Sequence, residues 1–273
     1  MGFLESEIRK IEGRRWRRAF RIVAVIAVIL IAVAAAAWFL TYTKEKSIAV
    51  IYIEGTLSTG DFSSSDATGS EFVGGEIRDA ADNPLVEAIV IRVDSPGGSP
   101  AAAQEIASDM EYAKARKPVV ISMGDIATSA AYYVSAHGTR IYADPDTLTA
   151  GIGTIWIFTD ISTWLDHEGY NVTVVKSGAR KDLGSPYRPL TADEQEYAQA
   201  LVNASFTHFI NDIVKQRNVS RADIDDGRVI RGEDAVKIGL VDRLGSLNDA
   251  IDDARSLALA GPAVRSSAAG QPS

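Results

Sequence analysis

The chain has 273 residues, 46% of them hydrophobic and 23% charged, a balance typical of a globular protein rather than a long disordered one. It has no cysteine, which excludes disulfides and thiolate metal sites, and its three histidines lack metal-ligand spacing, so we expect neither a metal nor a cofactor. Residues 1–46 hold nine basic and four acidic residues, so the remainder carries a net charge of −13, which argues against nucleic acid as a partner.

An arginine-rich segment and an uncharged apolar run follow one another near the N-terminus. The apolar run, residues 22–40, would span about 28 Å as a helix, close to the hydrocarbon thickness of a bilayer. We predict a basic cytoplasmic segment at 1–21 and a single transmembrane anchor at 22–40 in the cell membrane, because the arginines keep their end in the cytoplasm. The rest of the chain is then extracytoplasmic. A cleaved secretory signal is the alternative, but no clear cleavage region follows the run.

Strands and helices alternate from residue 47 onward, which predicts one α/β domain over 47–260 with a parallel sheet. Short apolar, β-branched runs predict strands at 48–53, 88–93, 119–123, 140–142, 152–158 and 172–175. Helices are predicted at 76–81, 101–115, 128–136, 162–167, 191–214, 232–238 and 247–259. The helix predicted at 191–214 begins with the capping box Thr191-x-x-Glu194. A mobile loop is predicted at 58–70 and a disordered tail at 261–273.

Ser129 stands where a predicted strand meets a predicted helix of small residues. A serine at a helix N-terminus has backbone N–H groups and the positive end of the helix dipole beside it, which suits a nucleophile whose reaction builds an oxyanion. The alternative is a serine that only caps the helix, a structural role equally open to Thr128. The local sequence leaves both roles open.

A glycine pair lies in the preceding strand-to-helix connection, Asp94-Ser95-Pro96-Gly97-Gly98. Two adjacent glycines let a backbone approach another group closely, and the N–H groups of such a loop can bind an anion or an oxyanion. The spacing differs from the glycine patterns of dinucleotide and nucleoside triphosphate sites, which argues against those ligands.

Basic residues cluster after the predicted strand at 172–175, where Lys176, Arg180 and Lys181 occur within six positions. A lysine that acts as a general base must be uncharged, which requires burial and a cationic neighbour. A histidine is a weaker candidate, because His137 lies eight residues after Ser129 on the same predicted helix and cannot fold back to its hydroxyl. The other two histidines, His167 and His208, lie in no motif.

These three stretches, in this order, resemble the signal peptide peptidase A family of serine peptidases. The similarity continues through Asp226-Gly227-Arg228-Val229 and covers about residues 47–250. The resemblance implies an α/β fold of the Clp protease/crotonase type, a spiral of ββα units. It also implies that Ser129 is the nucleophile and Lys181 the general base.

The resemblance assigns the oxyanion hole to the backbone N–H groups of Gly97 and Ala130. The supporting loop is Asp94, Ser95, Pro96 and Gly98. One departure concerns the two residues after the nucleophile, which are usually glycines in the family and here are Ala130 and Ala131. Their methyl groups could narrow the pocket and alter substrate preference. Single-copy relatives imply a homo-oligomer in which neighbouring protomers share an active site.

The function we predict is that of a membrane-anchored serine endopeptidase with a Ser-Lys dyad, which degrades signal-peptide remnants or similar apolar, membrane-derived peptides. A second hypothesis is a peptidase that cuts a specific membrane protein, such as a stomatin-like partner. A third is a catalytically silent scaffold that binds peptides, a role that the departure at residues 130–131 favours. An acyl-CoA enzyme on the same fold fits poorly, because an extracytoplasmic domain does not meet CoA.

Overall fold

The structure is a computed structural model that describes residues 2–42 and 46–260. The chain divides into two units, one formed by the N-terminal helix and one that begins at Ser47. Helix α1 runs over Gly2–Tyr42. In the described part of the chain, α1 alone contains a stretch long and apolar enough to cross a membrane, Phe20–Trp38. That stretch is consistent with the predicted anchor at 22–40, and the predicted disordered tail lies outside the described residues.

Eight strands form one sheet within the described residues of the second unit. They are β1 Ser47–Ser58, β2 Ala67–Gly69, β3 Val86–Gly98, β4 Val119–Thr128, β5 Arg140–Ala143, β6 Leu148–Ala150, β7 Val229–Arg231 and β8 Arg243–Leu244. The main path is β2-β1-β3-β4-β5-β8, and all of its neighbours are parallel. The end of β4 leaves this path and pairs with β6, which in turn pairs antiparallel with β7.

Helices connect these strands and cover both faces of the sheet. They are α2 Ser70–Asp82, α3 Pro100–Lys114, α4 Ala130–Ala136, α5 Ser162–His167, α6 Ala192–Gln216, α7 Gly232–Lys237 and α8 Leu247–Leu259. Alternate residues of β3 point into two separate cores: Ile89 and Ile91 into the larger, Ala88 and Val90 into the smaller. Helices α2, α3 and α4 supply the larger core and α8 the smaller. Burial on both faces explains why the central strands read as continuous apolar runs.

The predicted α/β class with a parallel sheet, preceded by an apolar helix, is confirmed. Helices α5 and α8 have the predicted bounds, and the predicted capping box opens α6: the Glu194 N–H donates to Thr191 Oγ1 and the Thr191 N–H to Glu194 Oε2. The helix predicted at 76–81 is longer, because α2 begins at Ser70. The predicted loop at 58–70 contains β2, which pairs with the end of β1.

The strands predicted at 152–158 and 172–175 are wrong, since neither segment has strand structure. Ile152 is buried, but most of their other apolar side chains are open to solvent: Ile155 is 82%, Ile157 76% and Val175 95% exposed. A β-branched run becomes a strand only where another strand can accept its backbone hydrogen bonds. No strand of the described chain lies beside these two segments.

Candidate active site

Ser129 occupies a strained turn between β4 and α4. Its φ angle is 55°, and among the described residues Ser129 and Ala150 are the only residues other than glycine with a positive φ. The two are linked, because the Ser129 N–H donates to the Ala150 carbonyl over 2.8 Å. Such a backbone conformation costs about 1–3 kcal/mol and persists only when the surrounding structure enforces it. Strain of this kind is concentrated at functional sites, so it points to Ser129 rather than to its neighbours.

The Ser129 hydroxyl does not cap α4, because its side chain makes no hydrogen bond to the first turn of the helix. Ser129 therefore does not act as the helix cap that the sequence left open as an alternative. The Ala130 N–H belongs to the first helical turn, where no intrahelical acceptor exists, and it has no other acceptor among the described residues. A free hydroxyl and a free N–H thus occur on consecutive residues.

The glycine pair lies against this turn. Gly97 has a φ of 103°, and a Cβ added there would come within 2.9 Å of both Ser129 Cβ and the Ala130 nitrogen. Only glycine permits this approach. The Gly97 N–H donates to the buried Ser95 Oγ over 3.1 Å. Gly98, in contrast, borders the same cavity as Ser129.

Two further loop residues tie the glycine pair to β4. Asp94 Oδ1 accepts from the Ile126 N–H over 3.1 Å, and the Pro96 carbonyl accepts from Thr128 Oγ1 over 3.0 Å. The predicted supporting residues 94–98 therefore lie beside the Ser129 turn, and their hydrogen bonds hold it from one side.

A cavity of about 660 Å³ opens next to Ser129 and Ala130. Its apolar lining includes Ala103, Tyr133, Ile152, Phe206, Phe209 and Val229. Two carboxylates, Asp225 and Asp226, also line it, and no lysine, arginine or histidine of the described chain does. No group of three or more potential metal ligands occurs in the part of the chain that the structure describes. The lining therefore combines apolar side chains with a few polar groups, the composition typical of ligand-binding pockets.

Lys181 does not line this cavity. It lies in a series of turns between α5 and α6, its side chain is exposed, and it has no side-chain partner among the residues described. The two cations expected to act on it are engaged elsewhere. Lys176 pairs with Asp182, and Arg180 binds both carboxylate oxygens of Asp193. A single chain therefore brings Ser129, Ala130 and the glycine loop together but leaves Lys181 apart.

Sequence reasoning missed the residues of α6 that line the cavity, because they carry no motif that marks a pocket. The motif at 226–229 supports the family resemblance, but its sequence does not show that the 225–229 loop lines the same cavity. It also missed Tyr133, which lines the cavity and donates to Asp212 Oδ2 over 2.6 Å. Burial, together with the hydrogen bond to Asp212, raises the pKa of Tyr133, so this phenol stays protonated. His137 is buried behind it, with Nδ1 2.9 Å from Glu111 Oε1.

Comparison with known proteins gives one family and several relatives. The protein-family model described as peptidase family S49 matches residues 111–260 of this chain. The chain is 35% identical over 176 residues to a protein named as a protease in Methanocaldococcus jannaschii (63% of this chain, 57% of the relative). It is 32% identical over 220 residues to Protease 4 of Haemophilus influenzae (79% and 35%). It is 33% identical over 183 residues to a protein named as signal peptide peptidase SppA in Enterococcus faecium (65% and 53%). The chain thus spans between about a third and somewhat over half of the length of these relatives.

Proposed function

Because the chain belongs to peptidase family S49, we propose that it is a membrane-anchored serine endopeptidase with Ser129 as the nucleophile and Lys181 as the general base. The conformation of Ser129 carries this proposal. Its strained backbone directs an uncapped hydroxyl to the edge of an apolar cavity, beside the unused N–H of Ala130. A serine with only a structural role needs none of this strain.

Acylation of Ser129 uses two proton transfers. The uncharged Lys181 amine takes the Ser129 hydroxyl proton while Oγ forms a bond to the peptide carbonyl carbon, and the carbonyl electron pair moves onto oxygen. Backbone N–H groups stabilise that oxyanion. The intermediate then collapses, the C–N bond breaks, and Lys181 gives its proton to the leaving amine. Water hydrolyses the acyl-enzyme by the same sequence and restores both residues.

The Ala130 N–H is one proposed oxyanion donor and the glycine pair supplies the other. The Gly97 N–H would first have to leave Ser95 Oγ, its present acceptor. Gly98 already borders the cavity and is therefore a second candidate for the same task. One such donor is worth a factor of about 10²–10³ in kcat.

We further propose that Lys181 reaches Ser129 from a neighbouring protomer, so that the enzyme is a homo-oligomer with shared active sites. Two observations support this arrangement. The Ser129 cavity has no lysine or histidine of its own among the residues described, and Lys181 is exposed. Ile155, Ile157 and Val175 are apolar side chains left exposed on this chain, and burial against an adjoining protomer would remove them from water.

The proposed substrates are signal-peptide remnants or similar apolar peptides released from the membrane. The apolar lining of the cavity and the α1 segment Phe20–Trp38 support them, as does the name of the Enterococcus relative. In this arrangement the N-terminus is cytoplasmic and the catalytic domain extracytoplasmic. Cleavage of one membrane protein, such as a stomatin-like partner, and a catalytically silent peptide-binding scaffold are the competing functions.

A fluorogenic peptide assay on the purified full-length protein tests the dyad. We expect Ser129→Ala and Lys181→Ala each to lower kcat by a factor on the order of 10³ or more, while Lys237→Ala, which removes an exposed lysine paired with Asp234, stays at the parent rate. If either dyad variant cleaves as fast as the parent, the assignment is wrong. Failure of the parent to label with a serine-reactive phosphonate would favour the silent scaffold.

Mixing the two inactive variants tests the shared site. A site that takes Ser129 from a Lys181→Ala protomer and Lys181 from a Ser129→Ala protomer has both groups, so co-assembled oligomers should regain activity. No recovery in verified mixed oligomers would place both residues of each site on one chain. Mapping the products from a signal peptide and from a stomatin-like protein separates the two substrate hypotheses.

A further inference from the structure

Arg188 joins the turns that carry Lys181 to the N-terminus of α6. Its Nε and Nη2 donate to the two carboxylate oxygens of Asp182, each over 2.9 Å. Its Nη1 and Nη2 donate to the two carboxylate oxygens of Glu194, each over 2.7 Å. One guanidinium therefore makes a two-point contact with a carboxylate on each side, the geometry that fixes direction as well as distance.

The two carboxylates are far less exposed than is usual for charged groups. The Asp182 side chain is 10% exposed and the Glu194 side chain 5%. Hydrogen bonds from Arg188 hold the pKa of Glu194 at about 2 and keep that of Asp182 below its usual range, so both stay charged. Lys176 also pairs with Asp182, but Arg188 is the cation that reaches Glu194 and joins the two carboxylates. Its removal therefore leaves Glu194 as a buried charge without that partner, which is strongly unfavourable, and breaks the link between the turns and α6.

Asp182 directly follows Lys181, so whatever holds Asp182 also holds the Lys181 backbone. Successive turns tighten the same stretch: the Lys181 N–H donates to the Gly178 carbonyl over 3.1 Å, and the Ser185 N–H to the Asp182 carbonyl over 3.0 Å. Lys176 Nζ adds a bond to the Ala179 carbonyl over 2.9 Å. The Lys181 backbone is thus held on both sides, while its side chain is exposed and no hydrogen bond or ion pair joins its amine to another described residue.

We propose that Arg188 is a positioning residue for the peptidase reaction: by bridging Asp182 and Glu194, it holds the Lys181 turn on α6 so that the amine is presented to the serine it serves. The inference rests on the proposed function, because it has a kinetic consequence only if Lys181 is the base. Arg188 does not line the cavity, and its side-chain hydrogen bonds go to Asp182, Glu194 and the Pro189 carbonyl. Its effect is therefore expected in the chemical step and not in substrate binding.

The experiment compares kcat and KM of the full-length protein with those of Arg188→Ala and Arg188→Lys. Misplacement of a catalytic group by about 1 Å can cost about 100-fold, so Arg188→Ala should lower kcat by about 10–100-fold with KM within about two-fold of the parent. Arg188→Lys keeps the charge but loses the two-sided bridge, so an intermediate kcat is expected. Arg140→Ala is the matched control, since it breaks a comparably buried ion pair, with Asp253, away from the cavity. It should lower the melting temperature and leave kcat unchanged.

Three results would contradict the positioning role. The first is a folded Arg188→Ala protein with the parent kcat, and the second is one whose whole defect lies in KM. The third is a loss of kcat that accompanies dissociation of the oligomer. If Arg188→Ala does not fold, Arg188→Lys serves as the test, and a parent kcat in that variant also contradicts the positioning role. If Lys181→Ala keeps full activity, the proposed function itself fails. If Lys181→Ala is inactive while Arg188→Ala is not, only the positioning role fails.

Discussion

A methyl group added at Gly97 tests whether the glycine loop and the Ser129 turn form one unit. In Gly97→Ala the new Cβ would lie 2.8 Å from the Thr128 carbonyl oxygen and 2.9 Å from both Ser129 Cβ and the Ala130 nitrogen. The φ of 103° adds a backbone penalty of about 1–3 kcal/mol, and overpacking against rigid backbone adds about 1–3 kcal/mol. We therefore expect a destabilisation of about 2–6 kcal/mol.

Urea unfolding followed by circular dichroism, together with peptide cleavage, measures both consequences. Gly75→Ala is the control, because Gly75 lies inside α2 with no atom within 4 Å of the added Cβ, and alanine there should stabilise by about 0.5–1 kcal/mol. Gly97→Ala should unfold at a lower urea concentration and lose most of its kcat. A variant that unfolds with the parent and cleaves at the parent rate would show that the loop is not packed against Ser129 as described.

Three other predictions concern single side chains. Ser129→Gly should raise stability by about 1 kcal/mol in urea unfolding, because glycine relieves the positive φ, and should abolish cleavage; equal or lower stability would contradict the strain. Burial lowers the pKa of His137, so the unfolded state binds more protons and stability should fall as the pH drops below about 6.5. His137→Gln should reduce the loss of stability between pH 7.5 and 5.5. If stability depends on pH in the variant as it does in the parent, groups other than His137 cause the loss. Asp225→Asn should lower kcat/KM about five-fold (about 1 kcal/mol) for peptides with a lysine near the scissile bond and leave an uncharged analogue unaffected; equal losses would exclude a charge effect.

The elements that the sequence predicted correctly have local causes. The capping box that opens α6 needs only Thr191 and Glu194, three positions apart, and the strand β3 is recognisable from its continuous apolar run, which is typical of a strand buried on both faces. The position of Ser129 between a strand and a helix also followed from local pattern. The segments around residues 155 and 175 look equally strand-like, but a strand also requires a partner, which is not a local property.

The amino-acid sequence alone determined the α/β class, the apolar N-terminal helix, the family and the serine that could act as a nucleophile, because each depends on residue types at short, regular spacings. Tertiary structure decided the rest. It paired Ser129 with the Ala150 carbonyl, engaged the Gly97 N–H with Ser95, and lined the cavity with α6. It also committed Arg180 to Asp193 and set Lys181 on the surface. These outcomes depend on hydrogen bonds and ion pairs between residues distant in the chain or on competition among neighbouring charges, and no local spacing encodes which partner prevails.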